Sequence, residues 1–205
     1  MTGNKICSII CGAPDGSFET KPQGYIICAD RGLDHALAAG IKPDLIIGDL
    51  DSARSDIPSG TECIKAPSEK DDTDAMLAAK TAIERGFGEL EFYCALGGRA
   101  DHSIANLQML EYLRTRGVKA RLHGGNTVIF LLEGSAEIPR YEGYLSVFAF
   151  GGDAVISGTG VKYPTERYRI TEAFPIGVSN EITAETAVIT VHEGRVIVVE
   201  VHGKD

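Results

Sequence analysis

Six short apolar runs alternate with three helical stretches up to about residue 124, and there the alternation stops. The runs fall at residues 6–11, 25–29, 45–47, 62–65, 90–95 and 120–123. Between them lie "RGLDHALAAG", "DDTDAMLAAKTAIERG" and "DHSIANLQMLEYLRTRG". Ala75, Leu77, Ala78, Ala82 and Ile83 share one face of the second stretch, and Ile104, Leu107, Leu110 and Leu113 one face of the third. A helix between two strands carries the chain back to where the next strand starts, so such strands pair in parallel. The pattern predicts an α/β unit, a doubly wound, mostly parallel sheet covered on both faces.

Beyond residue 124 the texture changes. "NTVIFLLEG", "YLSVFAFGG", "DAVISGTG", "ETAVITVHEG" and "RVIVVEVHG" are short strands broken by Gly-containing turns, with no long helix among them. This half reads as an antiparallel β-sandwich, with Glu193-Gly194 turning a terminal hairpin. The expected domains are residues 1–124 and 125–205.

Charge and composition narrow the function. A net charge of −9 argues against a nucleic-acid binder, which would carry a basic patch. No apolar run approaches the roughly 20 residues of a membrane span, and the start does not read as a signal peptide. Cys7, Cys11, Cys28, Cys63 and Cys94 are odd in number and form no C-x-x-C pair. Four of them sit in apolar runs, which fits buried free thiols and a cytoplasmic location.

The polar clusters fall where strands end. "CAD" puts Asp30 after the second strand, and "GDLD" puts Asp49 and Asp51 after the third. "SEKDDTD" supplies Lys70, Asp71, Asp72, Thr73 and Asp74, and "ALGGRADH" supplies Gly97, Gly98, Arg99, Asp101 and His102. Ligands of open α/β sheets bind outside the carboxyl ends of the strands, near a switch in strand order. Asp49 and Asp51 point the same way along a strand, and two carboxylates so placed repel by about 2–3 kcal/mol at an effective dielectric near 20. A cation between them turns that cost into attraction. Aspartate oxygens with few histidines and no thiols suit Mg²⁺, which binds through one or two carboxylates plus substrate phosphates.

Plainer roles stand beside these. Thr73, Asp71 or Asp101 can serve as helix caps, and His102 and Asn106, four apart, read more as a hydrogen-bonding pair than as a catalytic dyad. Gly97-Gly98 before a helix start is suited to cradling phosphate, and Arg99 beside it to a bidentate phosphate contact. The chain has no P-loop, no G-x-G-x-x-G and no G-x-S-x-G motif.

"PDLIIGDLDS", "EKDDTD" and "LGGRADHSIAN", followed by "GVKYPTERY" and "GVSNEI", resemble in order and spacing the signature of the thiamin pyrophosphokinase family. The resemblance implies an N-terminal ATP- and Mg²⁺-binding catalytic domain and a C-terminal thiamin-binding β-sandwich. It implies transfer of pyrophosphate from ATP to thiamin, giving thiamin diphosphate and AMP. It also implies a homodimer whose active sites are shared between chains. By motif position Asp49, Asp51 and Asp74 would hold Mg²⁺, with Asp101 beside them. Asp30, Lys70, Asp71, Thr73 and Arg99 would meet ATP, and Ser179 and Asn180 would meet thiamin. Asp74 or Asp101 would take the thiamin proton, with Arg99 neutralising charge. Two features depart from the family pattern. Arg31 stands where a small residue is usual, and without Trp any aromatic stacking falls to Tyr163, Tyr168 or Phe174. Competing readings are a pyrophosphokinase for a pterin-like alcohol, a Mg²⁺-dependent phosphohydrolase and a nucleotide-sensing module.

Overall fold

The computed structural model describes residues 5–49, 56–65 and 71–203, so Asp51 and Lys70 lie outside the described residues. The chain divides into two compact units, Met1–Gly125 and Asn126–Asp205.

The first unit runs β1 (Ile6–Ile10), β2 (Tyr25–Ala29), α1 (Gly32–Ala38), β3 (Leu45–Gly48), β4 (Glu62–Lys65), α2 (Asp74–Glu84), β5 (Glu89–Tyr93), α3 (Ala100–Arg114) and β6 (Lys119–Gly124). Its strands lie in the order β4-β3-β2-β1-β5-β6. Every pairing is parallel. The chain winds outward from β1 through β2, β3 and β4, then returns across β1 to lay down β5 and β6. That reversal makes the carboxyl ends of β1 and β5 a switch point. Ile9 and Ile10, like Ile46 and Ile47, are neighbours on opposite faces of the sheet, and all four are fully buried. Both faces are therefore covered, as parallel strands require, and each such side chain contributes about 1.5–3 kcal/mol.

The helices are rotated from the apolar faces read in the sequence. In α2 the buried residues are Ala78, Ala79, Thr81 and Ala82, while Ala75, Leu77 and Ile83 are half-buried. In α3 they are Asn106, Met109, Leu110 and Leu113, and Ile104 is 57% exposed. The cause in α3 is a polar contact. Asn106 Nδ2 donates to the Ala95 carbonyl at 2.7 Å, turning that residue inward at the expense of Ile104. Asn106 is thus tied to β5's exit and does not pair with His102 as the spacing suggested.

The second unit is antiparallel. β13 (Val196–His202) lies between β7 (Thr127–Leu132) and β9 (Gly143–Ala149). A second layer has the order β11-β10-β12-β8, from β8 (Ser135–Pro139), β10 (Ala154–Thr159), β11 (Thr165–Ile170) and β12 (Thr186–Glu193). Phe130, Val147 and Val198 of one layer share a core with Ile138, Ile156 and Ile189 of the other, which makes a sandwich. Glu193-Gly194 does not close a hairpin. β12 pairs with β10 and β8 while β13 pairs with β7 and β9, so this turn carries the chain from one layer to the other. Both strands carry an alternating apolar face, and two such faces in sequence are buried equally well across a sandwich. Among the described residues no helix is long and apolar enough to cross a membrane.

Candidate functional site

A cleft of about 380 Å³ opens at the switch point of the first unit. Cys11 to Pro14 after β1, Asp30 and Arg31 after β2, Thr73 and Asp74 at the start of α2, and Cys94, Gly97, Arg99 and His102 after β5 line it. The volume is in the usual range for small-molecule sites. Its walls are built from backbone that ordinary residues avoid. Asp30 and Cys94 have φ of 47° and 51°, two of four described non-glycine residues with positive φ. Such conformations cost about 1–3 kcal/mol each and collect where a site needs them. Here each turns the chain out of its strand and into the cleft.

Asp30 and Asp49 are brought near each other by Gly48. With φ of 156°, Gly48 lies so close to the β2 exit that a β-carbon would stand 3.1 Å from Asp30 Cα. The Asp30 N–H donates to Ile47 O at 2.8 Å, continuing the strand pairing to this point. Asp49 follows immediately, beside the cleft and not among its lining residues.

Thr73 is the N-cap of α2, its Oγ1 accepting from the Met76 N–H at 3.1 Å, so the capping role holds. The cap leaves Asp74 as the first helical residue, on the cleft wall. Asp71 is exposed and outside the lining. Asp72 is held by Lys80 Nζ at 2.6 and 2.8 Å, outside the site.

Arg99, and not Asp101, occupies the N-cap position of α3. Its Nε donates to Asp101 Oδ1 at 3.1 Å and its Nη2 to Oδ2, a two-pronged pair within one turn. Oδ1 also accepts the His102 N–H at 3.0 Å. Hydrogen bonding to Arg99 is the main cause that holds the Asp101 carboxyl down at about 2, and the His102 N–H adds to it. Arg99 reaches the cleft; Asp101 stands behind it as counter-charge.

Among the described residues no three His, Cys, Asp or Glu side chains form a metal-holding group, and Asp51 lies outside those residues. The donor chemistry nonetheless fits a hard ion. Asp30 and Asp74 line the cleft with Asp49 adjacent, while burial pushes the Cys94 thiol up to about 12 and Cys11 higher still, removing both as soft ligands at neutral pH.

In the second unit Ser179 has φ of 59° and donates its N–H to Ser146 Oγ at 3.0 Å. Asn180 is joined to Leu145 by two backbone hydrogen bonds and holds Tyr163 through its side chain. Tyr163, Phe174, Ile176 and Val178 are exposed around these residues, at 63%, 66%, 51% and 53%.

The sequence reading passed over "CGAP" after β1, although Gly12 and Pro14 directly after the central strand were a signal for a loop crossing the switch point. Arg31, a departure that the resemblance sets at the nucleotide edge, lies on the cleft wall.

The family model described as "Thiamin pyrophosphokinase, catalytic domain" matches residues 19–122. That for "Thiamin pyrophosphokinase, vitamin B1 binding domain" matches residues 135–196. The thiamine pyrophosphokinase of Bacillus subtilis (strain 168) is 29% identical over 209 residues, spanning 95% of this chain and 98% of that protein. The crystal structure of the Bacillus subtilis enzyme matches with a TM-score of 0.88 at 26% identity, covering 98% of this chain and all of that one (100%). The thiamin pyrophosphokinase of Candida albicans shares the fold, with a TM-score of 0.79 at 17% identity over 97% of this chain and 89% of that one.

Proposed function

We propose that this chain, which belongs to the thiamin pyrophosphokinase family, binds ATP in the switch-point cleft and presents thiamin from its second unit. It is a transferase that moves the pyrophosphoryl group of ATP to the thiamin hydroxyl, giving thiamin diphosphate and AMP. The observation that carries the ATP assignment is the cleft itself. Two carboxylates, two guanidiniums and the backbone at Gly12 and Gly97 meet at the place where this topology receives ligands. Family descriptions that name thiamin on both parts favour this reaction over a pterin-directed transfer or a phosphohydrolase.

Asp49, Asp51 and Asp74 would hold Mg²⁺, which neutralises polyphosphate charge when bound. In the reaction the thiamin oxygen bonds to the β-phosphorus, the β-phosphorus–oxygen bond to the α-phosphate breaks, and the hydroxyl proton leaves for a carboxylate. Asp74 suits that proton better than Asp101. A carboxylate held at about 2 by Arg99 is a weak base, and catalytic bases work best nearer the ambient pH. Lys70 and Asp71 are placed on the ATP side by motif order alone. Arg99 meets the transferred phosphates through its remaining donors, and positioning with charge neutralisation supplies most of the rate.

Ser179 and Asn180 form the thiamin side. The Asn180 clamp makes Tyr163 the aromatic whose backbone is best fixed to meet a heterocycle. Two chains pair so that each site draws on both, a reading supported by the exposed apolar group from Tyr163 to Val178. Five free cysteines fit a reducing, cytoplasmic compartment.

Incubation with ATP, Mg²⁺ and thiamin should yield AMP and thiamin diphosphate in equal amounts. Release of phosphate without the diphosphate ester would replace the transferase reading with a hydrolase. Mixing Asp74→Asn and Asn180→Ala chains should restore part of the activity each lacks. Exchanging, folded chains that fail to complement would remove the shared site and leave the reaction standing.

A further inference from the structure

Two arginines line the cleft from different strand ends, and their charges are not equally available. Arg99 spends Nε and Nη2 on Asp101, so its charge arrives largely compensated. Arg31, at the exit of β2, has no carboxylate partner among the described residues. Its side chain is exposed to the cleft while its backbone is anchored. The Arg31 carbonyl accepts the Asp34 N–H at 3.1 Å, and Gly12 lies so close that a β-carbon there would stand 3.0 Å from Arg31 Cβ. The stem therefore leaves the wall in a fixed direction and ends in an open guanidinium.

β2 and β5 are separated only by β1, so the two strand exits lie about 10 Å apart at the ordinary strand spacing. A polyphosphate lying across the sheet end can touch both arginines. Transfer of the pyrophosphoryl group breaks the bond between the β-phosphorus and the oxygen of the α-phosphate. Negative charge then grows on the α-phosphate as AMP leaves. A cation serves this growth best when nothing has neutralised it beforehand. Resting on the reading of the cleft as the ATP site, we propose that Arg31 holds the α-phosphate of ATP and of the departing AMP. Its planar fork receives two phosphate oxygens, and Arg99 is left to the transferred end.

The test is calorimetric binding of AMP and of inorganic tripolyphosphate to the full chain, together with steady-state kinetics, for Arg31→Gln, Arg31→Lys and Arg99→Ala. Arg31→Gln should weaken AMP by about ten- to a hundredfold and lower kcat, with tripolyphosphate changed little. Arg31→Lys should recover the charge and not the fork, falling between the two. Unchanged AMP binding in Arg31→Gln, with tripolyphosphate weakened in Arg99→Ala, would overturn the assignment and keep the cleft. Weakened tripolyphosphate with unchanged AMP would put Arg31 at the other end of the substrate and equally overturn it. Nucleotide binding indifferent to all three substitutions would remove the cleft reading and the inference together. Should Arg31→Gln fail to fold, Arg31→Lys alone decides: AMP binding equal to wild type would overturn the contact geometry.

Discussion

The side chain of Asn180 clamps the backbone of Tyr163. Oδ1 accepts the Tyr163 N–H at 3.0 Å and Nδ2 donates to the Tyr163 carbonyl at 3.0 Å. Oδ1 takes a second bond from the Glu181 N–H at 2.9 Å. The amide is committed to structure, so any effect of Asn180 on thiamin should come through positioning. Asn180→Ala should lower stability by about 1–2 kcal/mol in denaturant unfolding and raise the KM for thiamin, leaving that for ATP unchanged. Asn180→Asp should be no milder, because a carboxylate oxygen would face the Tyr163 carbonyl. An Asn180→Ala protein of unaltered stability with a raised thiamin KM would show direct contact instead.

The Arg99–Asp101 pair should register in pH titration. Its side chains are 72% and 63% exposed, so solvent screens it and little stability rests on it. The sign is nonetheless fixed. A carboxyl lowered to about 2 from 3.8 contributes whatever it contributes above the upper value and loses it as pH falls through the lower. In Arg99→Ala, the Asp101 resonance followed by NMR should titrate near the ordinary carboxylate value. A midpoint still close to 2 would assign the shift to the His102 N–H. Arg99→Lys should lose kcat more than thiamin KM, because an ammonium cannot reproduce the fork.

Gly98 faces the ring of Pro14. A β-carbon at Gly98 would stand 2.4 Å from Pro14 Cδ, and its φ of 67° is unfavourable for any other residue. Gly98→Ala should therefore separate the loops after β1 and β5 and open the cleft between them. The expected result is at least a tenfold loss of kcat/KM for ATP with a folded protein, judged by circular dichroism and denaturant unfolding.

Asp49→Asn and Asp74→Asn should leave the fold intact and lower turnover by about two orders of magnitude or more, since each tenfold is about 1.4 kcal/mol of barrier. Magnesium titration of the rate is the deciding measurement. A variant restored fully by excess Mg²⁺ is a ligand mutant. One that stays slow at saturation has lost its proton acceptor, the outcome expected of Asp74 alone.

Thiol chemistry should report the burial of the first unit. Burial raises Cys7, Cys28 and Cys94 to about 12 and Cys11 further, while Cys63 is exposed on β4. A thiol reagent at neutral pH should label Cys63 rapidly and the other four only on unfolding. Rapid labelling of Cys94 that ATP suppresses would instead reveal a cleft that opens.

What the sequence disclosed depended on how local the cause was. β2 is legible to the residue because an apolar run ended by a polar residue, Asp30, needs no distant partner. Thr73 was legible because a cap and its acceptor lie three residues apart. β8 and β11 were not, since edge strands such as "SAEIP" and "TERYRI" bury only Ile138 and Ile170 fully and show no apolar stripe. The rotation of α3 turns on Asn106 meeting Ala95, eleven residues away, and the Asn180 clamp spans seventeen. Periodicity carries no trace of such contacts. Aspartates at strand ends were visible as a cluster, yet the pairing of Asp101 with Arg99 and the openness of Arg31 came only from geometry.

The passage of the chain between layers at Glu193-Gly194 bears on how the second unit is made. β13 is the last strand in sequence and the middle one in its layer, flanked by β7 and β9. It cannot zip onto the strand just before it, and its partners were synthesised some fifty to seventy residues earlier, as the Val196–Ala149 and Val201–Thr127 pairs show. Contacts so distant along the chain form slowly and leave strand edges bare meanwhile. A nascent or clipped chain without residues 196–202 would expose the facing edges of β7 and β9, which are templates for wrong pairing between molecules. The thiamin-binding half therefore cannot close its core before β13 is made, and its aggregation during translation should be governed by a strand that follows Ser179 and Asn180 in the chain.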